Sequence, residues 1–143
     1  MKVREIMTSP FEKIDSNSSI CVASELMRSS DVGILPVEKN GRIVGIVTDR
    51  DIVVRAIAQH LDPEETSVSK IMTSEITYCY DDDEIEDAER KMEEKQIRRL
   101  LVLNSDEKPV GILSLSDLAT KAESGNLACR ALEKICEPVG SRW

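Results

Sequence analysis

Histidine is almost missing from this 143-residue chain, basic charge is in the minority, and no apolar stretch comes near the length that spans a bilayer. Each shortage removes a class of function. The single histidine, His60, lies in a helix-to-linker segment far in sequence from the other candidate groups, and no cysteine has a histidine neighbour. A nucleophile–base pair is therefore not signalled, and the chain does not read as an enzyme. With 19 Lys and Arg against 27 Asp and Glu, the formal net charge is −8. That balance repels a phosphate backbone, so no nucleic-acid partner is expected, and the acidity reads as solubility. No run approaches the roughly 20 apolar residues of a membrane span, and no charged-then-apolar signal opens the chain, which predicts a cytoplasmic location and no membrane partner. The cysteines Cys21, Cys79, Cys129 and Cys136 form no Cys-x-x-Cys pair. Neither a zinc ribbon nor a disulfide framework is indicated; buried free thiols are the default, with Cys129 and Cys136 on one helical packing stripe.

What the chain does have is a repeat. Val3-Arg4-Glu5-Ile6-Met7-Thr8 returns as Val68-Ser69-Lys70-Ile71-Met72-Thr73, an offset of 65 (68 − 3), and Gly45-Ile46-Val47-Thr48-Asp49-Arg50-Asp51 returns as Gly111-Ile112-Leu113-Ser114-Leu115-Ser116-Asp117, an offset of 66 (111 − 45). The slip belongs in the turn where Asn40-Gly41 is answered by Ser105-Asp106-Glu107, because turns absorb insertions that strands cannot. Each copy of about 60 residues would be marginal alone, so the halves are expected to pack together. A cleft between like halves is a natural ligand site.

In the first copy, a cap-rich Asp15–Ser19 precedes Ile20, Ala23, Leu26 and Met27 at helical spacing, predicting a helix over about Ser19–Ser29 that Gly33 follows. Ile34–Val37 reads as a buried strand, Asn40-Gly41 as a two-residue hairpin turn, Arg42–Val47 as its return strand, and Asp49–Gln59 as a second helix with Ile52, Val53, Ala56 and Ile57 inward. The second copy repeats the order: strand Ile76–Cys79, helix Glu84–Glu94, strands Leu100–Leu103 and Val110–Leu113, and a helix from Leu115. Asp62–Thr66 is the polar linker. A tail helix over Leu127–Ile135, after Gly125 and stopped by Pro138 and Gly140, presents Leu127, Ala128, Ala131, Leu132 and Ile135 as one stripe, either an intramolecular clamp or a dimer contact. The fold class is α+β: two β-α-β-β-α repeats related by a pseudo-two-fold, at 1–65 and 66–125, with a helical tail at 126–143.

The motif most open to chemistry is the glycine-led strand ending in Thr48-x-x-Asp51 and again in Ser114-x-x-Asp117. It has a structural reading as a capping box. It also has a functional one, in which amides and a hydroxyl at a helix start meet phosphate and the carboxylate accepts both hydroxyls of a ribose.

These segments, together with Val32–Val37 and Gln96–Val102, resemble the tandem cystathionine-beta-synthase (CBS) domain pair, or Bateman module, over residues 1–125; the tail resembles that of small stand-alone prokaryotic members. The resemblance implies a regulatory module binding AMP, ADP, ATP or S-adenosylmethionine in clefts between the repeats, no catalytic cofactor, a disc-shaped homodimer, and an effector protein that reads the bound state. It implies that Thr48 and Ser114 face phosphate or ribose, that Asp51 and Asp117 hold ribose, and that Ile14, Ile34 and Pro36, with counterparts Cys79, Arg99 and Leu101, line the adenine pockets. Arg50, Arg98 and Arg99 are candidates for phosphate charge, the last two also readable as a solvated pair beside the acidic Asp81–Glu84. The apolar lining is kept only in the first copy, which makes the Thr48–Asp51 site the stronger. The competing reading is a structural or protein-interaction module whose caps are only caps.

Overall fold

The structure, a computed structural model, describes residues 1–123 and 126–137. Gly125, Pro138 and Gly140, assigned above to the ends of the tail helix, lie outside the described residues. The chain forms two compact units: Glu12–Ile76, built on the first repeat, and Met1–Phe11 together with the chain from Thr77 on, built on the second. The units do not divide where the repeats do. The leading hexad of each repeat belongs to the unit built on the other copy.

In the first-repeat unit, β1 (Ile14–Asp15) pairs parallel with β2 (Ile34–Lys39), which pairs antiparallel with β3 (Arg42–Thr48). Helix α2 (Ile20–Ser30) joins β1 to β2. Ser19 caps it by accepting from the Val22 amide, and Asp31 in the left-handed region (φ 52°) ends it, so the chain turns two residues before Gly33. Asn40 and Gly41, both at positive φ, make the tight hairpin turn the sequence announced. The second helix departs from expectation. A single α-turn, α3 (Asp49–Asp51), passes into a π-helical segment over Ile52–Ile57, where Val53 accepts from the Ala58 amide. This wider i→i+5 turn keeps Ile52 and Ala56 inward but leaves Val53 and Ile57 exposed, against the expected inward face. The linker is also structured: Pro63 and Thr66 carbonyls accept from the Cys21 and Ile20 amides at the start of α2. A 3-10 turn over Val68–Lys70 follows, and Val68 and Ile71 join the core of Ile14, Ile20, Leu35, Val37 and Val47.

The second-repeat unit opens with α1 (Val3–Ile6), whose Val3 and Ile6 enter its core. Strand β4 (Tyr78–Tyr80) pairs parallel with β5 (Arg99–Leu103), and β5 antiparallel with β6 (Pro109–Ser114). Helix α4 (Ile85–Lys95) lies between β4 and β5 and ends at Gln96 in the left-handed region, as α2 ends at Asp31. The β5–β6 turn is held by the Asn104 side chain, which accepts from the Asp106 and Lys108 amides. The extra residue therefore sits in the turn, where it was placed from sequence. Helix α5 (Leu115–Lys121) follows β6, and α6 (Asn126–Ile135) buries Leu127, Ala128, Ala131 and Ile135 against the core formed by Ile85, Ala88, Met92, Leu100 and Leu118. Leu132, assigned to that stripe, is 43% exposed. The tail is thus a cover within its own unit.

Candidate functional site

Both predicted capping boxes form. Thr48 Oγ1 accepts from the Asp51 amide at 3.1 Å while Asp51 Oδ2 accepts from the Thr48 amide at 3.0 Å. In the other unit, Ser114 Oγ accepts from the Asp117 amide at 3.1 Å and Asp117 Oδ2 accepts from the Ser114 amide at 2.8 Å. Each box closes the junction between a hairpin strand and the helix after it, where the backbone leaves the ladder and its first amides have no helical acceptor.

The two carboxylates differ in what remains. Asp117 is buried, and its Oδ1 accepts from Lys121 Nζ at 2.7 Å and from Thr8 Oγ1 at 3.4 Å. Lys121 also donates to the Ile6 carbonyl, tying the leading hexad to the box. The matching cation in the first-repeat unit is Arg55, at the repeat offset of 66 (121 − 55) from Lys121. Its Nη1 donates to the Ile71 carbonyl at 3.0 Å and to Thr73 Oγ1 at 3.2 Å, but its Nε stands 3.6 Å from Asp51 Oδ1. Among the described residues, Asp51 therefore keeps an oxygen with only a long ionic contact, on a side chain 13% exposed, where Asp117 has both oxygens committed.

Close approach of the hexads explains the repeated glycine. A Cβ on Gly45 would stand 2.5 Å from Met72 Sδ and 3.0 Å from the Thr73 carbonyl; on Gly111 it would stand 2.8 Å from Met7 Sδ and 2.9 Å from the Thr8 carbonyl. Ile46 with Thr73, and Ile112 with Thr8, exchange backbone hydrogen bonds across these contacts. Neither the methionines nor Arg55 and Lys121 stood among the sequence candidates. Their signal was present: Met7 and Met72 repeat at 65, Arg55 and Lys121 at 66, and each cation lies four residues after its aspartate on one helical face.

The lining residues are divided between sheet faces. Ile14 is in register with Val37 and sits in the core with it, whereas Ile34 and Pro36 alternate to the other face, opposite Thr48 and Ile46 of β3. Cys79 likewise pairs with Val102 in the core, while Arg99 and Leu101 stand on the other face opposite Ser114 and Ile112. Burial pushes the Cys79 thiol up to about 12, so it is an inert core group. The side chains of Ile14 and Cys79 are filled-in core and leave no lining surface of their own. Arg50 is exposed in the first turn of α3.

Within the second-repeat unit, a pocket of ≈ 540 Å³ opens beside Ser114. Arg98, Arg99 and Ser116 give it charge and hydrogen-bond donors; Leu115, Ala119 and, from α6, Ala128, Cys129 and Leu132 give it apolar walls. Asp117 is not among its lining residues. Arg98 and Arg99 are exposed, and the acidic run instead pairs with other cations, Glu84 with Lys2 at 2.6 Å and Asp83 with Lys91 at 3.6 Å. Cys129 and Cys136 are exposed rather than packed, because α6 turns Leu127, Ala131 and Ile135 inward; Cys136 Sγ accepts from Arg98 Nη2 at 3.8 Å, and Cys21 is half-buried. Among the described residues no cluster of three or more His, Cys, Asp or Glu side chains is placed to hold a metal, and no helix is long and apolar enough to cross a membrane.

Known proteins share this arrangement. The chain is 37% identical over 133 residues to the CBS domain-containing protein YhcV of Bacillus subtilis, covering 93% of this chain and 94% of that one. Its fold matches the conserved CBS domain protein TA0289 of Thermoplasma acidophilum with a TM-score of 0.81 at 27% identity, covering 94% of this chain and 75% of the other. It also matches the CBS domain pair of protein MJ0100, solved in complex with 5′-methylthioadenosine and S-adenosyl-L-methionine, with a TM-score of 0.73 at 27% identity over 83% of this chain and 93% of that one. The CBS domain family model fits residues 3–57 and 68–124, the same two stretches that carry the repeated hexads and capping boxes, and the chain belongs to the CBS domain family as a tandem pair.

Proposed function

We propose that the chain is a regulatory sensor that binds an adenosyl ligand (AMP, ADP, ATP or S-adenosylmethionine) and performs no chemistry on it. The observation that carries this reading is the incomplete engagement of Asp51: its box holds one oxygen, while the other has, among the described residues, only the 3.6 Å contact to Arg55, which in this reading leaves it to accept from ribose hydroxyls. Ile34, half-buried, and Pro36, buried, share a sheet face with their cross-strand partners Thr48 and Ile46, an apolar lining suited to a base, with Arg50 close in sequence for phosphate. The adenosyl ligands of MJ0100 support the ligand class. In the second-repeat unit Arg98, Arg99 and Ser114 suit an anionic group, while Asp117 is withdrawn from ribose binding by Lys121 and Thr8.

A ligand-binding module without catalytic groups acts by favouring one conformation that a partner reads. Self-association into a homodimer fits the apolar side chains left outward on the π-helical segment, Val53, Val54 and Ile57, which are 59%, 45% and 52% exposed. A second reading has its own support: both capping boxes are closed by the chain's own hydroxyls, carboxylates and amides, as a structural or protein-interaction module needs. Calorimetric titration with AMP, ATP and S-adenosylmethionine, alongside mass spectrometry of small molecules that co-purify with the folded protein, separates the two. The sensor reading expects saturable heat with at least one of them and a raised Tm. No heat and no Tm shift with any would leave the structural reading.

A further inference from the structure

Between α4 and α6 lies a carboxylate that ligand binding does not use. Glu89 is 5% exposed, and its Oε1 has no hydrogen-bond partner among the described residues. Its opposing charge is Arg130 of α6, at 3.8 Å, and that side chain is itself 63% exposed. One turn along α4 stands Glu93, a like charge. A cavity of ≈ 610 Å³ opens over the pair, and the other charged groups that face it are Glu86 and Arg90 from α4 and Glu133 and Lys134 from α6. Two of the cations are drawn aside, Arg90 to Asp87 and Lys134 to Glu137, each at 3.0 Å. A proton on Glu89 removes both its repulsion of Glu93, four residues along the same helix, and the cost of a buried charge. Burial, followed by the hydrogen bond and charge of Glu93, pushes Glu89 up to about 7.

We propose that Glu89, with Glu93 beside it on α4, is a proton-operated latch on the tail: with its proton it lets α6 lie against α4, and without it a charge buried beneath α6, met among the described residues only by Arg130 at 3.8 Å, loosens the helix. The inference rests on the second-repeat unit alone and stands or falls separately from the ligand reading. A carboxyl whose docked value is raised binds more protons docked than free. Docking therefore strengthens as pH falls and weakens as pH rises from the ordinary 4.5 toward about 7. Because α6 also supplies Ala128, Cys129 and Leu132 to the pocket at Ser114, loosening it opens one wall of that pocket.

Amide hydrogen exchange across the full chain, read residue by residue by NMR and corrected for intrinsic exchange, tests the latch. Between about pH 6 and pH 8 the wild type is expected to lose protection over 127–135 by roughly tenfold, at most one proton's linkage per pH unit, with β5 unchanged. Glu89→Gln, neutral at every pH, should stay protected with a flat profile. Wild-type protection independent of pH, or the same slope in Glu89→Gln, overturns the proposal. If that variant does not fold, carbon-detected titration of the Glu89 carboxyl in the wild type decides. A midpoint near 7 that Glu93→Gln moves downward supports the latch, and a midpoint in the ordinary carboxylate range overturns it.

Discussion

Asp51 and Asp117 hold the same place in two copies of one frame, and they use their oxygens differently. Both close a capping box with Oδ2. Beyond that, Lys121 reaches Asp117 at 2.7 Å, whereas Arg55 stands 3.6 Å from Asp51 and directs its Nη1 to the Ile71 carbonyl and Thr73. A lysine ends in one point charge and a guanidinium in a planar fork, so one conservative difference in cation moves the strong contact from the carboxylate to the neighbouring hexad. The lesson is that a duplicated motif can keep its architecture in both copies while engaging its carboxylate differently in each.

Two pairs of substitutions probe that contrast. Asp117→Ala removes a buried carboxylate from beneath Lys121, Thr8 and Ser114, and is expected to cost about 3 kcal/mol, the low end for a broken buried pair because Lys121 is half-exposed. Asp51→Ala should cost only about 0.5–2 kcal/mol, the loss of one arm of a capping box. Urea unfolding of both variants measures the difference, and equal losses would erase it. Smaller in spread is the matched pair Gly45→Ala and Gly111→Ala, where each new Cβ meets a methionine and a backbone carbonyl. Each is expected to cost about 1–3 kcal/mol by overpacking, with similar values if the hexads dock alike in the two units. A neutral result at either glycine would show that its methionine yields.

Much of the frame was legible because it rests on local signals. The hairpin turn followed from Asn40-Gly41, the start of α2 from Ser19, and the two boxes from a hydroxyl three residues before a carboxylate. The inserted residue could be placed because strand register forbids it elsewhere. What escaped was set by long-range packing. Nothing local tells that residues 3–8 complete the unit of the second repeat, or that Ile52–Ile57 widens into a π-helix that turns Val53 and Ile57 outward. The site was half legible: Thr48, Asp51, Ser114 and Asp117 sit as box partners, but the side chains of Ile14 and Cys79 belong to the core face of their sheets. Alternation along β2 and β5 separates them from Ile34, Pro36, Arg99 and Leu101, a consequence of register that a list of apolar positions does not carry. Arg55 and Lys121 were hidden because a lone cation on a helix usually lies in solvent, and only the repeat offset marks them as equivalent.

The central claim, that Asp51 has an oxygen available to a ligand and Asp117 does not, is tested most directly by titrating AMP, ATP and S-adenosylmethionine into the wild type and into Asp51→Ala. The account predicts saturable binding to the wild type by at least one of the three, weakened roughly tenfold or more in Asp51→Ala, the size of a lost hydrogen bond to a charged group. Equal affinity in the two proteins would contradict it.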